Sequence, residues 1–178
     1  MKTSLVKKER KKMRDIFIIS DTHFGHENIL TFKDDDGNPV RTFADADEMD
    51  AIMIENWNKT VKDNDIVYHL GDVFFGKGHQ VLPFLKGRKR LVLGNHDNPK
   101  SDYLMKNFQK IMLLRHFPEF NCILTHVPMH ESGMFKVDYN VHGHIHQKKS
   151  PSESYINCSV EVINYTPMAI EEVMRGKL

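Results

Sequence analysis

Five short polar motifs run down this chain in a fixed order: Asp21-Thr22-His23, Gly71-Asp72, Gly94-Asn95-His96-Asp97, Thr125-His126 and Gly143-His144-Ile145-His146. Each carries at least one Asp, Asn or His, and most stand directly behind a run that reads as a β-strand. Asp15–Ser20 is continuously apolar after its first residue, the pattern of a strand buried on both faces. Asp65–Leu70 and Arg90–Leu93 follow the same plan. In an open α/β sheet ligands bind beyond the carboxyl ends of the strands. Residues distant in sequence are thereby gathered along one edge.

The intervening segments are consistent with that plan. Residues 21–44 form a polar loop rich in turn formers, including Asp36-Gly37-Asn38-Pro39. Asp45, with Glu48 three residues on, marks a helix start, and Met49, Ile52, Met53 and Trp57 give that helix an apolar stripe. Gly78–Lys86 reads as a short helix, and Pro99 lies where the helix after the third strand would begin. In the second half, Ile111–His116, Asn121–Thr125, Tyr139–His142 and Tyr155–Ile163 read as strands. Thr166-Pro167 reads as the cap of a last helix through Val173. The expected architecture is a four-layer α/β/β/α sandwich, with two sheets face to face and helices outside.

At 178 residues the chain makes one domain, long enough to bury roughly 68–70% of its unfolded surface. Two parts differ in charge. Residues 1–14 hold seven bases and one acid, while the remaining 164 hold 18 bases and 23 acids. We expect a basic extension over 1–14, read as solvated, and a single domain over 15–178. A slightly acidic body is a poor platform for long nucleic acid, whose affinity comes mainly from cations meeting phosphates. No apolar run reaches the roughly 18 residues needed to cross a bilayer. The N-terminus lacks the pattern of a secretory signal, so the expected setting is cytoplasmic with no membrane partner. Cys122 and Cys158 sit in apolar runs and read as reduced, buried small hydrophobes.

The motif residues mix carboxylate, imidazole and one amide, with no thiolate. That set suits Mn²⁺, Fe, Zn²⁺ or Ni²⁺, of which Mn²⁺ is the expected ion, and disfavours a closed structural zinc site. Seven donors are too many for one ion and suit two sharing a carboxylate. Two ions roughly 3.5–4 Å apart clamp phosphorus for in-line attack. A spacing of two in Asp21-x-His23 and His144-x-His146 turns both side chains the same way if the backbone is extended. Glycines 71, 94 and 143 are expected to permit sharp turns.

From residue 15 to about 165 the chain resembles the calcineurin-like metallophosphoesterase superfamily, all of whose motifs are present without substitution. Ser20-Asp-Thr-His-Phe-Gly-His26 and Asn157-Cys-Ser-Val-Glu-Val are most similar to its small, uncapped bacterial and phage branch. The resemblance implies that Asp21, His23 and His146 hold one divalent ion and that Asn95, His126 and His144 hold a second. Asp72 would bridge the two. It further implies that a bridging hydroxide attacks phosphorus, with His96 stabilising the phosphoryl group or protonating the leaving oxygen. The implied activity is hydrolysis of a small phosphate ester, such as a nucleotide, as a phosphodiesterase or phosphomonoesterase. Competing readings are a nuclease recruited by the basic extension and a non-catalytic scaffold. The scaffold reading would predict missing ligands, and none is missing.

Around this set, His26, Arg41, Phe74 and His130 are candidate substrate contacts, while Phe74 and Phe75 read first as hydrophobic packing and alternatively as a stacking surface for a nucleobase. His142 is a candidate support for the ligand histidines beside it. His69, His79 and His116 read as ordinary surface or core histidines, and Arg88, Lys89 and Arg90 as a solvated edge.

Overall fold

A computed structural model describes residues 15–176; the basic extension over 1–14 lies outside the described residues. The order of elements is β1 (Ile16–Ile19), α1 (Ala46–Thr60), β2 (Ile66–His69), β3 (Arg88–Val92), α2 (Asp102–Asn107), β4 (Lys110–Met112), β5 (Arg115–Phe117), β6 (Cys122–Leu124), β7 (Tyr139–His142), β8 (Tyr155–Asn157), β9 (Met168–Ala169) and α3 (Ile170–Gly176). The fold is mixed α/β. One sheet runs β4-β3-β2-β1-β9, with β1 to β4 parallel and β9 antiparallel to β1. The other runs β5-β6-β7-β8, with β5 antiparallel and the rest parallel.

Alternation along β1 and β2 explains how the sheets stack. Phe17, Ile19 and Val67 turn to one side, where they meet Met49, Met53 and Trp57 of α1. Ile18, Tyr68 and Leu70 turn to the other and pack against Leu124, Val141 and Ile156 of the second sheet, with Ile170 and Val173 of α3. β1 and β2 are thus largely apolar on both faces, which is why they read as hydrophobic runs. Ser20 and Ser159 bridge the sheets just beyond β1 and β8. The outer face of the second sheet, at Ile123, is covered by Met129, Met134 and Val137. That cover comes from a loop with a 3-10 turn, Glu131–Gly133.

Helix α1 begins as expected. Asp45 accepts the Glu48 amide at 2.8 Å, and Glu48 reaches back to the Ala44 amide at 2.6 Å. Several other expectations need correction. The Ile111–His116 run splits at exposed Leu113 and Leu114 into β4 and β5, one in each sheet. Gly78–Lys86 is a 3-10 stretch, Gly76–Phe84, carrying Pro83 inside it. Helix α2 starts three residues after Pro99, behind Ser101. Thr166 caps no helix, because residues 168–169 first pair with β1. The Arg88–Arg90 edge is only partly solvated. β3 is an inner strand, so Lys89 is buried with its Nζ on Leu85 O at 2.6 Å, and Arg90 donates to the Tyr68 hydroxyl at 2.6 Å. Cys122 and Cys158 are free and buried, and burial pushes the Cys122 thiol up to about 12. Among the described residues no helix is long and apolar enough to cross a membrane.

Candidate metal centre

The loops leaving β1 and β2 are zipped together by backbone bonds. Asp21 N–H donates to Gly71 O at 3.0 Å, His23 N–H to Asp72 O at 3.1 Å and Phe24 N–H to Val73 O at 3.0 Å. Gly143 N–H joins the third wall by donating to His126 O at 2.9 Å. Together with the bonds of Asp97 to the Asp72 and Gly94 amides and of His126 to Leu70 O, these contacts bring all five sequence motifs to one end of the two sheets.

Extended backbone does not aim the ligands. Asp21, His23, Asp72, His144 and His146 all have positive φ, between 50° and 70°. Such left-handed geometry costs a non-glycine residue of order 1–3 kcal/mol and concentrates at functional sites. Asp and His tolerate it better than most residues. Of the motif glycines, Gly71 has a positive φ of 105°, whereas Gly143 is required by crowding. A Cβ there would run into Ser20 Oγ and Asp21 Oδ2.

Two groups of three donors result. Asp21, His23 and His146 place one donor atom each within 4.8 Å of one another, and so do Asp72, His126 and His144. The paired histidines of Gly143-His144-Ile145-His146 therefore part, one to each group. Asp72 Oδ2 lies between the groups, 3.3 Å from His126 Nε2 and 3.8 Å from His23 Nε2. Asn95 Oδ1 is 2.9 Å from His126 Nε2, on the second group.

The donors fit divalent cations on a further count. Asp21 Oδ1 and both ring nitrogens of His23 are buried with no hydrogen-bond partner, a costly state that a cation would relieve at Oδ1 and at one of the two nitrogens. Burial pushes the Asp21 carboxyl up, but His23 and the charges of His126 and His146 outweigh it and hold the group well below the usual range. Burial also lowers the affinity of His23 and His144 for a proton, keeping imidazole lone pairs free.

Supporting residues fix the rings. His126 Nδ1 meets Leu70 O at 2.8 Å, so that nitrogen carries the proton and Nε2 faces the cluster unprotonated when a cation is there. His146 Nδ1 meets Glu161 Oε1 at 2.9 Å to the same effect. Asp21 Oδ2 accepts from the His144 amide at 2.9 Å and from Ser159 Oγ at 3.0 Å. Asp97 staples the Asp72 loop, taking the amides of Asp72 and Gly94 on Oδ2 (2.9 and 2.8 Å) and of Val73 on Oδ1 (3.0 Å). His69 is a core residue: Gly71 N–H donates to its Nδ1 at 3.1 Å, and its Nε2 meets Thr22 Oγ1 at 2.9 Å. Burial lowers its pKa to about 3, so it stays neutral. His142 is buried beside Gly143 O, 2.9 Å from its Nδ1.

The peripheral candidates separate. His96 is exposed outside both groups; its amide donates to Asp72 Oδ1 at 2.9 Å and its ring centroid is 6.0 Å from that of His23. His26 stacks on Phe75 at 4.0 Å, and Phe75 in turn covers His23 at 5.2 Å. Burial and the neighbouring His23 lower His26 to about 4. Phe74 lies one cleft away, against His79 and Tyr103. His130 is exposed and engages Ser132 within a local turn, with no contact to the cluster. Arg41 is turned into the protein. Only 2% of it is exposed, and its guanidinium is spent on Glu161 Oε1, Thr22 O at 3.0 Å and Asp21 O at 2.6 Å. Glu161, Asp97 and Ser159 were not singled out from sequence. All three nonetheless stand in motifs visible in the sequence, Asp97 in Gly94-Asn95-His96-Asp97 and Ser159 and Glu161 in Asn157-Cys-Ser-Val-Glu-Val.

No protein-family model matches the chain. It is 34% identical to the uncharacterized protein MJ1445 of Methanocaldococcus jannaschii over 177 residues, covering 92% of this chain and 91% of that protein. The Gene 66 protein of Mycobacterium phage L5 is 36% identical over 94 residues, 49% of this chain and 42% of its own length. That of Mycobacterium phage D29 is 34% identical over 97 residues, 51% and 44% respectively. Among solved structures, the protein of unknown function AQ665 from Aquifex aeolicus aligns with a TM-score of 0.72 at 26% identity, over 92% of this chain and 99% of that one.

Proposed function

We propose that this chain, which belongs to one family with the Methanocaldococcus jannaschii protein MJ1445, is a two-metal phosphoesterase of the metallophosphoesterase kind. The observation that carries this reading is the position of Asp72 Oδ2 between two three-donor groups. A single carboxylate oxygen shared by two sites is what a closely spaced pair of ions requires. The four-layer sandwich belongs to the same reading, with the layer over the second sheet reduced to the loop around Met134. A cytoplasmic setting goes with it, where buried Cys122 and Cys158 stay reduced.

Asp21, His23 and His146 would hold one ion and Asn95, His126 and His144 the other, with Asp72 common to both. When bound, such ions supply a water acidic enough to lose its proton near neutrality and positive charge against the phosphoryl oxygens. The protein's own groups do the rest. Leu70 O and Glu161 hold His126 and His146 in the tautomer whose Nε2 faces inward. His96, anchored through its amide on Asp72, would present its exposed imidazole to the phosphoryl or leaving oxygen.

The test is to strip the protein with a chelator and titrate Mn²⁺ by calorimetry. Hydrolysis of an aryl phosphate is then assayed with and without the ion. Two bound ions and Mn²⁺-dependent hydrolysis are expected. Two bound ions without hydrolysis of any phosphate ester would sink the proposal.

A further inference from the structure

Three clefts open beside the ligand cluster, and their chemistries differ. The first, about 430 Å³, abuts His144 and His146 and is walled by Phe32, Val40 and Ile145, with Lys33 and Lys148 at its edge. Its wall is a built hairpin. Val40 N–H donates to Phe32 O at 2.9 Å, and Asp34 Oδ1 ties back the amides of Asp36 and Asn38 at 3.0 and 2.8 Å. Phe32 is 48% exposed, and Gln147 Oε1, also in the lining, is buried without a partner.

The second cleft, about 500 Å³, abuts His96 and is floored by Phe74 and Tyr103, with Asn98 and Ser101 as polar neighbours. Tyr103 is held upright by stacking on His79 at 3.7 Å. No lining residue is common to the two clefts. The third groove, beside Asn95 and His126, is walled by Leu93, Leu113, Leu114 and Val127, and its Thr125 hydroxyl is spent on Val127 O.

Resting on the phosphoesterase reading, we propose that the substrate is a phosphodiester lying across the cluster. An aromatic, nucleoside-like alcohol fills the His96 cleft, and a second, anionic arm runs into the cleft of Lys33 and Lys148. A monoester has one organic arm and would leave one cleft unused. It also carries a second charge on phosphorus, and Arg41, the guanidinium behind the ligands, is wholly engaged elsewhere. Phe74 and Tyr103 offer aromatic faces, which stack nucleobases without regard to sequence. In the reaction, the oxygen of water bonds to phosphorus and the bond to the alcohol in the His96 cleft breaks. One proton of that water ends on the departing alcohol, and the other stays on the monoester product or passes to solvent.

The experiment compares bis(4-nitrophenyl) phosphate with 4-nitrophenyl phosphate on Mn²⁺-loaded protein. It also measures binding of a slowly hydrolysed phosphorothioate dinucleotide bearing a terminal phosphate, by calorimetry. The diester is expected to exceed the monoester in kcat/KM by about tenfold or more. Tyr103→Ala is expected to weaken dinucleotide binding about tenfold, in line with the loss of one stacked base, with two Mn²⁺ still bound. Lys33→Ala with Lys148→Ala is expected to weaken it further for the probe with the terminal phosphate than for one lacking it. A preference for the monoester overturns the diester assignment, gives the lysines to the phosphate dianion, and leaves the phosphoesterase reading standing. Unchanged dinucleotide binding in both variants overturns the assignment of the clefts. Two bound ions with neither ester hydrolysed overturns the underlying reading and this inference with it.

Discussion

Arg41 delivers two donors to one oxygen of Glu161, Nε at 2.8 Å and Nη2 at 2.7 Å, with both side chains shut away from water. The same oxygen receives His146 Nδ1 at 2.9 Å. Burial alone would raise the Glu161 carboxyl, but His146 and Arg41 outweigh it and keep the group ionised. An arginine that a loop position suggested for substrate is thus packed behind the Asp21, His23 and His146 donors.

Glu161→Gln tests that role. The amide is nearly isosteric, yet it leaves Arg41 as an uncompensated buried cation and offers His146 a weaker acceptor. Loss of such a support costs roughly 10–100-fold in metal affinity. The expected result in a Mn²⁺ titration is one site weakened by about that factor, with the Asn95, His126 and His144 site far less affected. Equal weakening of both sites would mean that Glu161 supports the fold rather than His146.

Asp72→Asn should act on both sites together. Its Oδ1 is held by the His96 amide, and Oδ2 alone faces both groups. An amide cannot offer two cations a shared anionic oxygen, so both ions and all hydrolysis are expected to be lost in parallel. Metal analysis after gel filtration checks this, and retention of two ions would refute the bridge.

How much of this was legible beforehand differs between candidate donors and supports. The seven donor residues stand in short motifs behind apolar runs, and both features survive in a bare sequence. The supports do not, because their partners are remote in the chain: Arg41 lies 120 positions from Glu161 and Asp21 lies 138 from Ser159. Backbone aim was misjudged for a local reason. A two-residue spacing implies a shared direction only in extended chain, and Asp21, His23, His144 and His146 are left-handed instead. The Leu113-Leu114 break was hidden because one apolar run served two sheets in succession.

His96→Ala separates chemistry from assembly. The His96 side chain belongs to neither donor group, and its hold on Asp72 is through the backbone, which alanine keeps. Two Mn²⁺ should still bind, while kcat falls by roughly 10²–10⁴, the usual weight of a general acid. Single-turnover assays on metal-loaded protein would show it. An unchanged rate would remove His96 from the reaction.

Asp50 gives a pH signature away from the donor cluster. It lies on α1 facing the loop that carries His26, and its Oδ1 accepts the Gly25 amide at 3.1 Å. Burial raises its carboxyl to about 6, with Asp47 adding to the shift and the Gly25 bond and Arg41 opposing it. An unfolded aspartate titrates near 3.9, so between about pH 4 and 6 the folded chain keeps a proton that the unfolded chain has released. Asp50 therefore favours the fold below this window, and that contribution is lost as pH rises through it. Asp50→Asn keeps the acceptor for Gly25 and removes the titration. Relative to the parent, it should gain stability across pH 4–6 and hold the gain above, by about 1 kcal/mol after allowance for solvent screening. Urea melts of both proteins at pH 4.5, 5.5 and 7 measure the difference directly. A gap that does not widen with pH would show that Asp50 is ionised in the fold throughout.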